Sequence, residues 1–192
     1  MDDPAAPKGL STPAKLTLGG VMGAPFALAF LTNVVALEGD KRVGYLDIAG
    51  IPTKCSGDTV DVVVGRLYSD AHCRASTERQ ALAHILEVRR CTPRVQGHQL
   101  VAAGLLAYNI GGSAYCGSTA ARRFNAGDLK AACNAFAPWN RITVSQTRAE
   151  TMRRAGANCV ASKTKRGSFL CTVRGLINRR AVEAKICLQG LS

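Results

Sequence analysis

The stretch Glu38-Gly-Asp-Lys-Arg-Val43-Gly-Tyr-Leu-Asp47-Ile-Ala-Gly50-Ile-Pro-Thr53-Lys-Cys55-Ser-Gly57 decides how this 192-residue chain is read. Val43 to Asp47 alternates in character, Gly50 supplies a turn, and Ile51 to Gly57 runs back. That pattern predicts a β-hairpin, with a further short strand near Val60 to Val64. Five of the chain's 13 acidic residues, Glu38, Asp40, Asp47, Asp58 and Asp61, fall in this region. A solvated acidic face would explain such a cluster without any chemistry. Placement argues for more, because Glu38 closes an apolar segment and Asp47 stands at the hairpin corner. Two carboxylates on different elements can face one cleft, as glycosidic bond cleavage requires: one acid protonates the leaving oxygen while the other handles water or the sugar cation.

Beyond the hairpin the pattern turns helical. Ser76-Thr-Glu78 resembles a helix start, and Arg79 to Arg90 carries Leu82, Ile85, Leu86 and Val88 at mainly helical spacing. Further helices are expected over Gln99 to Ile110, Ser118 to Asn125, Asp128 to Trp139 with Asp128 as cap, Ser145 to Ala155, and Ile177 to Leu188. The basic run Lys163-Thr-Lys-Arg166 lies in an expected loop or hairpin, and there is no internal repeat. The fold class is therefore α+β, with a small β-hairpin or sheet lobe near the start and a larger helical lobe.

Hydrophobic residues at 47% and charged residues at 20% exclude a disordered chain, a collagen-like chain and a polytopic membrane protein. The 25 Lys and Arg residues against 13 Asp and Glu leave a net charge of +12. Such a surplus calls for a polyanionic partner: nucleic acid, an anionic membrane face or a bacterial cell wall. Aromatic residues at 5% supply few stacking platforms, and the basic residues are scattered through every expected element, so a nucleic-acid partner is not expected. The eight cysteines (Cys55, Cys73, Cys91, Cys116, Cys133, Cys159, Cys171 and Cys187) include no Cys-x-x-Cys, and His72, His84 and His98 lack finger-like spacing. No metal site and no cofactor are expected. An even number of dispersed cysteines reads as disulfides and an oxidising destination, with buried free thiols as the competing reading.

Residues 1–15 are polar, carry Pro4, Pro7 and Pro13, and read as a disordered leader. Residues 16–37 carry no charge and are bounded by Lys15 and Glu38. The length suffices to span a bilayer. Gly19, Gly20, Gly23, Ala24, Pro25, Thr32 and Asn33 nevertheless make insertion weak. A cleaved signal peptide, a buried core helix and a weakly held uncleaved anchor all remain open; cleavage after Ala36 would leave Glu38 as the second residue. Outside lipid, the segment is expected to form a helix kinked near Pro25 and docked on the rest of the chain.

The spacing of Glu38, Asp47 and Thr53, with Gly39, Gly44-Tyr45, Gly50 and Gly57 around them, resembles that of the phage lysozymes of glycoside hydrolase family 24. The resemblance extends through Ala107-Tyr-Asn-Ile-Gly-Gly112, Ser118-Thr119, Arg122, Asn125-Ala-Gly-Asp128, Cys133, Trp139, Gly175-Leu, Arg179-Arg180, Glu183 and Cys187, covering roughly residues 37 to 189. The region from Arg141 to Leu170 is longer than the family's usual link. Membership would imply a lysozyme-like fold and an N-acetylmuramidase that cleaves the β-1,4 bond between N-acetylmuramic acid and N-acetylglucosamine during host lysis by a phage. Glu38 would be the general acid, Asp47 would orient or activate the water, and Thr53 would hold that water from the opposite side of the sugar. Asn109 and Arg179, or in the latter's place Arg180, would line the substrate site.

The first segment also resembles that of signal-arrest-release endolysins, in which an uncleaved glycine- and alanine-rich helix exports the enzyme, tethers it inactive to the inner membrane and later escapes into the periplasm. The implied organisation is a leader over 1–15, a signal-anchor-release helix over 16–37 and a catalytic domain over 38–192. The implied partners are peptidoglycan glycan strands and, transiently through residues 16–37, the inner membrane; the released form would be a monomer. Residues 1–37 contain no cysteine, so control through a thiol in the anchor is not expected. Proximity within this layout pairs Cys55 with Cys73, Cys91 with Cys116, Cys133 with Cys187, and Cys159 with Cys171. The alternative from another class is an exported, disulfide-bonded wall-binding protein without catalysis, and degradation of peptidoglycan separates the two.

Overall fold

The computed structural model describes residues 16–47 and 50–191, so the expected leader over 1–15 lies outside the described residues. In chain order the elements are α1 (Leu18–Met22), α2 (Ala24–Glu38), β1 (Lys41–Leu46), β2 (Pro52–Cys55), α3 (Asp70–Cys91), α4 (Gly97–Ile110), α5 (Gly112–Cys116), α6 (Thr119–Asn125), α7 (Leu129–Asn134), β3 (Arg141–Ser145), α8 (Gln146–Arg154), β4 (Cys159–Ala161), β5 (Ser168–Thr172) and α9 (Arg174–Cys187). The helical lobe is organised around α4, in which every residue from Leu100 to Ala107 is buried. A helix apolar around its whole circumference belongs in a core, and α2, α3, α5 and α9 all pack against this one.

The N-terminal segment is part of that core. Leu18, Met22, Ala27, Phe30 and Val34 are buried among the α3 and α4 side chains. Phe30 reaches α4 because Gly104 has no side chain; a Cβ there would stand 2.8 Å from the Phe30 ring and would also meet Ile85. The bend expected near Pro25 forms at Gly23, two residues before it. Gly23 takes a φ of 85° and caps α1 through its amide to the Gly19 carbonyl, a left-handed conformation that glycine adopts without strain. Pro25 sits in the first turn of α2, where its missing N–H leaves no helical bond unmade. Split in this way, the segment contributes no membrane-length helix: none among the described residues is long and apolar enough to cross a membrane.

In the small lobe, β1 and β2 pair antiparallel with Tyr45 opposite Thr53 and Leu46 opposite Pro52. The third strand expected over Val60 to Val64 does not form. Those residues turn instead, and β1 gains only an isolated bridge between Val43 and Leu67. Gly44 explains the change, since the turn's backbone closes over it: Gly44 donates to the Arg66 carbonyl, Gly65 donates to the Gly44 carbonyl, and a Cβ at position 44 would strike the Val63 carbonyl.

Three helix boundaries also differ from expectation. α3 begins at Asp70, capped by Ser69, whose side chain accepts from the His72 amide, while Ser76 is buried and spends its hydroxyl on Asp58. α7 ends at Asn134 instead of Trp139, because Pro138 can neither donate to a helical bond nor leave its predecessor helical. α9 starts at Arg174, one turn before Ile177. The region following Trp139 forms a satellite unit in which β3, β5 and β4 make an antiparallel sheet in that order, with α8 beside it.

Four disulfides tie these parts together. Cys55–Cys73 joins the hairpin to α3, Cys91–Cys116 joins α3 to α5, Cys133–Cys187 joins α7 to α9, and Cys159–Cys171 clips β4 to β5. A buried polar cluster adds to the first of these. Asp58, 1% exposed, accepts from the Ser76 hydroxyl, pairs with Lys54 at 3.5 Å and Arg79 at 3.2 Å, and so binds the hairpin's exit to α3.

Candidate active site

Glu38 is the last residue of α2, which Gly39 terminates with a φ of 78°. A carboxylate at a helix C-terminus meets the negative end of the backbone dipole and needs compensation. Compensation comes from α9: Arg179 Nη2 lies 2.7 Å from Glu38 Oε1, a charge contact whose angle is not that of a directed hydrogen bond. The sequence places apolar Leu37 beside the acid; the structure adds this nearly buried guanidinium.

Asp47 and Thr53 are oriented by one shared residue. The Ile51 amide donates to Asp47 Oδ1 at 2.9 Å, and the Ile51 carbonyl accepts both from the Asp47 amide at 3.0 Å and from the Thr53 hydroxyl at 2.9 Å. Such side-chain-to-backbone bonding is the usual way an aspartate closes a turn. Thr53 is nearly buried, and its only proton is committed to Ile51, which leaves its oxygen as an acceptor.

The Tyr45 phenol feels the charges of both Asp47 and Glu38. Burial and then the negative charges of Asp47 and Glu38 raise its pKa above the ordinary value. Tyr108, near the end of α4, also feels the charge of Glu38. Its pKa is driven up by burial and by the charges of Glu38 and Asp58, against the opposing effect of Arg179. Its hydroxyl donates to the Ser56 carbonyl at 2.8 Å, which fastens the helical lobe to the small one.

Asn109 and Arg179 have different polar partners. Asn109 Oδ1 accepts from Arg180 Nη2 at 2.9 Å, while Arg179 faces Glu38. Of the two arginines, then, Arg179 meets the acid and Arg180 holds the amide. Behind both lies Glu183, fully buried, which sequence reasoning did not assign to the site. Its Oε1 accepts from Arg179 Nε at 3.1 Å and from Arg180 Nη2 at 2.6 Å. The spacing of Arg179, Arg180 and Glu183 on one helix was the available signal, since residues three and four apart are neighbours on a helix surface. Asp58 goes the other way: it belongs to the acidic cluster in the sequence and to the buried scaffold in the structure. Among the described residues no group of three His, Cys, Asp or Glu side chains is arranged to hold a metal ion.

A phage lysozyme family profile matches residues 35–157. The chain belongs to the phage lysozyme family. The SAR-endolysin of Pseudomonas phage phiKMV is 34% identical to it over 169 residues, covering 87% of this chain and 90% of the relative. The SAR-endolysin of Enterobacteria phage P21 is 30% identical over 159 residues, covering 80% and 79%. Among solved structures, the endolysin from the Escherichia coli O157:H7 phage FAHEc1 superposes with a TM-score of 0.65 at 26% identity, over 84% of this chain and 92% of that one. The mixed helix and sheet architecture is thus that of phage lysozymes. The family profile ends before β4, so half of the satellite unit and all of α9, with Arg179 and Glu183, lie beyond it.

Proposed function

We propose that this phage lysozyme family member is a peptidoglycan-cleaving endolysin, an N-acetylmuramidase that hydrolyses the β-1,4 bond between N-acetylmuramic acid and N-acetylglucosamine. Glu38 protonates the leaving oxygen. Asp47, steered by the Ile51 amide, orients or activates the water, and Thr53 holds that water through its acceptor oxygen. Arg179 and Asn109 line the sugar site beside the acid. The observation that carries this reading is the match to the phage lysozyme family over residues 35–157, and Glu38, at the end of α2 against Arg179, is the carboxylate placed to act as the acid. Digestion of purified peptidoglycan tests it: new reducing ends should appear at N-acetylmuramic acid, whereas free amino groups without reducing ends would indicate an amidase. Binding without any cleavage would favour the wall-binding alternative.

Residues 16–37 are proposed as a releasable membrane anchor. Phe30 and Val34 are 0% exposed and Leu18 is 1% exposed in the protein, yet these side chains are the ones an inserted helix would give to lipid. Insertion and docking therefore exclude each other, and Glu38, which directly follows, cannot reach murein while the segment lies in a bilayer. The structure corresponds in this reading to the released form, a monomer in the periplasm. Fractionation of expressing cells before and after an uncoupler, with N-terminal sequencing, tests the proposal. The soluble form should retain residues 16–37; one beginning at Leu37 would show cleavage and remove the anchor reading.

A further inference from the structure

Glu183 is a carboxylate that the reaction does not need for contact with substrate, yet it is 0% exposed in a region that already holds two nearly buried arginines. Removing a carboxylate from water costs several kcal/mol unless partners restore what hydration supplied. The partners here are specific. One oxygen, Oε1, accepts from both Arg179 and Arg180, while Oε2 is buried without a hydrogen bond. Arg179 reaches on to Glu38 and Arg180 reaches on to Asn109 and, at 3.4 Å, to the Trp139 carbonyl. A single buried carboxylate thus sets the position of both arginines, and through them of the acid and its neighbouring amide.

Charge makes the arrangement more than a brace. An acid that must deliver a proton works poorly under the undivided charge of a guanidinium, which favours the ionised form. Arg179 is shared between two carboxylates, so Glu183 takes part of that charge away from Glu38. Resting on the proposed role of Glu38, we propose that Glu183 is a positioning residue for the general acid: it holds Arg179 and Arg180 in place and offsets their charge, so that Glu38 stays aligned and able to carry its proton. The titratable and charged groups around this cluster are Tyr45 and Asp47 from the hairpin, Asp58 from the hairpin's exit, Tyr108 from α4, and Arg179, Arg180 and Glu183 from α9.

The test is Glu183→Gln, which keeps the shape and an acceptor but removes the charge. Turnover on purified peptidoglycan should fall about tenfold or more with little change in KM, as for a displaced reacting group. The alkaline limb of the pH–activity profile should move to lower pH by about half a unit or more, because the arginine charge is no longer divided. Glu183→Asp should recover part of both. In an Arg179→Lys background, Glu183→Gln should shift the limb less than it does alone, since the effect passes through Arg179. If Glu183→Gln does not fold, the paired Glu183→Met/Arg180→Met replacement removes one charge of each sign and should still lower turnover, because Arg179 loses the carboxylate that holds its Nε, while the limb stays near its wild-type place. A folded variant of either kind with wild-type turnover and an unmoved limb overturns the inference. Glu38→Gln, measured alongside, separates the causes: if that variant keeps wild-type activity the assignment of the acid itself has failed, and if it is inactive while the Glu183 variants behave as wild type, only the role of Glu183 has.

Discussion

If residues 16–37 are the releasable anchor proposed above, Phe30 is the side chain through which docking and insertion compete. In the docked form it is 0% exposed, set against Gly104 and Ile85 and edge-on to Tyr108, with ring centroids 6.5 Å apart. Phe30→Ala should cost the folded protein about 3 to 5 kcal/mol, from lost transfer energy and the cavity left behind. In a bilayer the same ring contributes only about 0.3 to 0.6 kcal/mol at the centre of a helix on the insertion scale. The difference, roughly 3 kcal/mol or more, shifts the balance toward the inserted state by about a hundredfold, at 1.4 kcal/mol per factor of ten. For a chain of this size each kcal/mol moves the melting temperature by about 2 to 4 °C, so a fall of at least about 6 °C is expected. Scanning calorimetry of the soluble protein reads the first effect. The soluble fraction after an uncoupler, which should drop sharply, reads the second. A melting temperature within about 2 °C of wild type, together with unchanged release, would show that residues 16–37 do not form part of the working core.

Replacing Gly19, Gly20 and Gly23 with leucine should retain the protein in membranes and suppress lysis, because the substitutions favour lipid and because leucine at position 23 is strained at a φ of 85°; fractionation checks it. Burial alone would raise the pKa of Asp58, but the Ser76 hydroxyl, the Val60 amide, Lys54 and Arg79 together hold it below its ordinary value. Its stabilising contribution is therefore complete above the unfolded-state value and is lost as pH falls through the lower folded-state value. Asp58→Asn should flatten the acid side of the stability profile in urea titrations and cost roughly 3 to 5 kcal/mol at neutral pH, since Lys54 is left buried without its partner. The double change Cys159→Ser/Cys171→Ser opens a loop of 12 residues and should remove about 2 to 3 kcal/mol from the satellite unit. Proteolysis should then cut first between β4 and β5, while the rate on peptidoglycan stays near wild type.

The hairpin and the helical lobe were legible because both follow from local pattern. The turn around Gly50 and the apolar run of α4 need no tertiary context to be recognised. The four disulfides were legible because each spans elements that the expected layout already brings together. What the sequence hid was set by packing at a distance. Val60 to Val64 has strand composition, but the bare backbone of Gly44 draws the following residues into a turn. Ser76 looks like a helix cap until Asp58 is seen to take its hydroxyl, and Pro25 looks like the kink until Gly23 ends α1 first. At the proposed site, spacing is what singles out Glu38, Asp47 and Thr53 as candidates. The division of labour between Arg179 and Arg180, and the burial of Glu183 behind them, depend on how α9 lies against α2 and α4, which no local pattern encodes.

The central claim is that Glu38 supplies the proton that breaks the glycan. It is tested most directly by the rate of reducing-end release from purified peptidoglycan by folded, soluble Glu38→Gln protein whose melting curve has been measured alongside wild type. Glutamine preserves the contact geometry at the end of α2 and removes the transferable proton, so the rate should fall at least about a hundredfold, the scale of a lost general acid. A properly folded Glu38→Gln protein that releases reducing ends at near the wild-type rate would contradict the account.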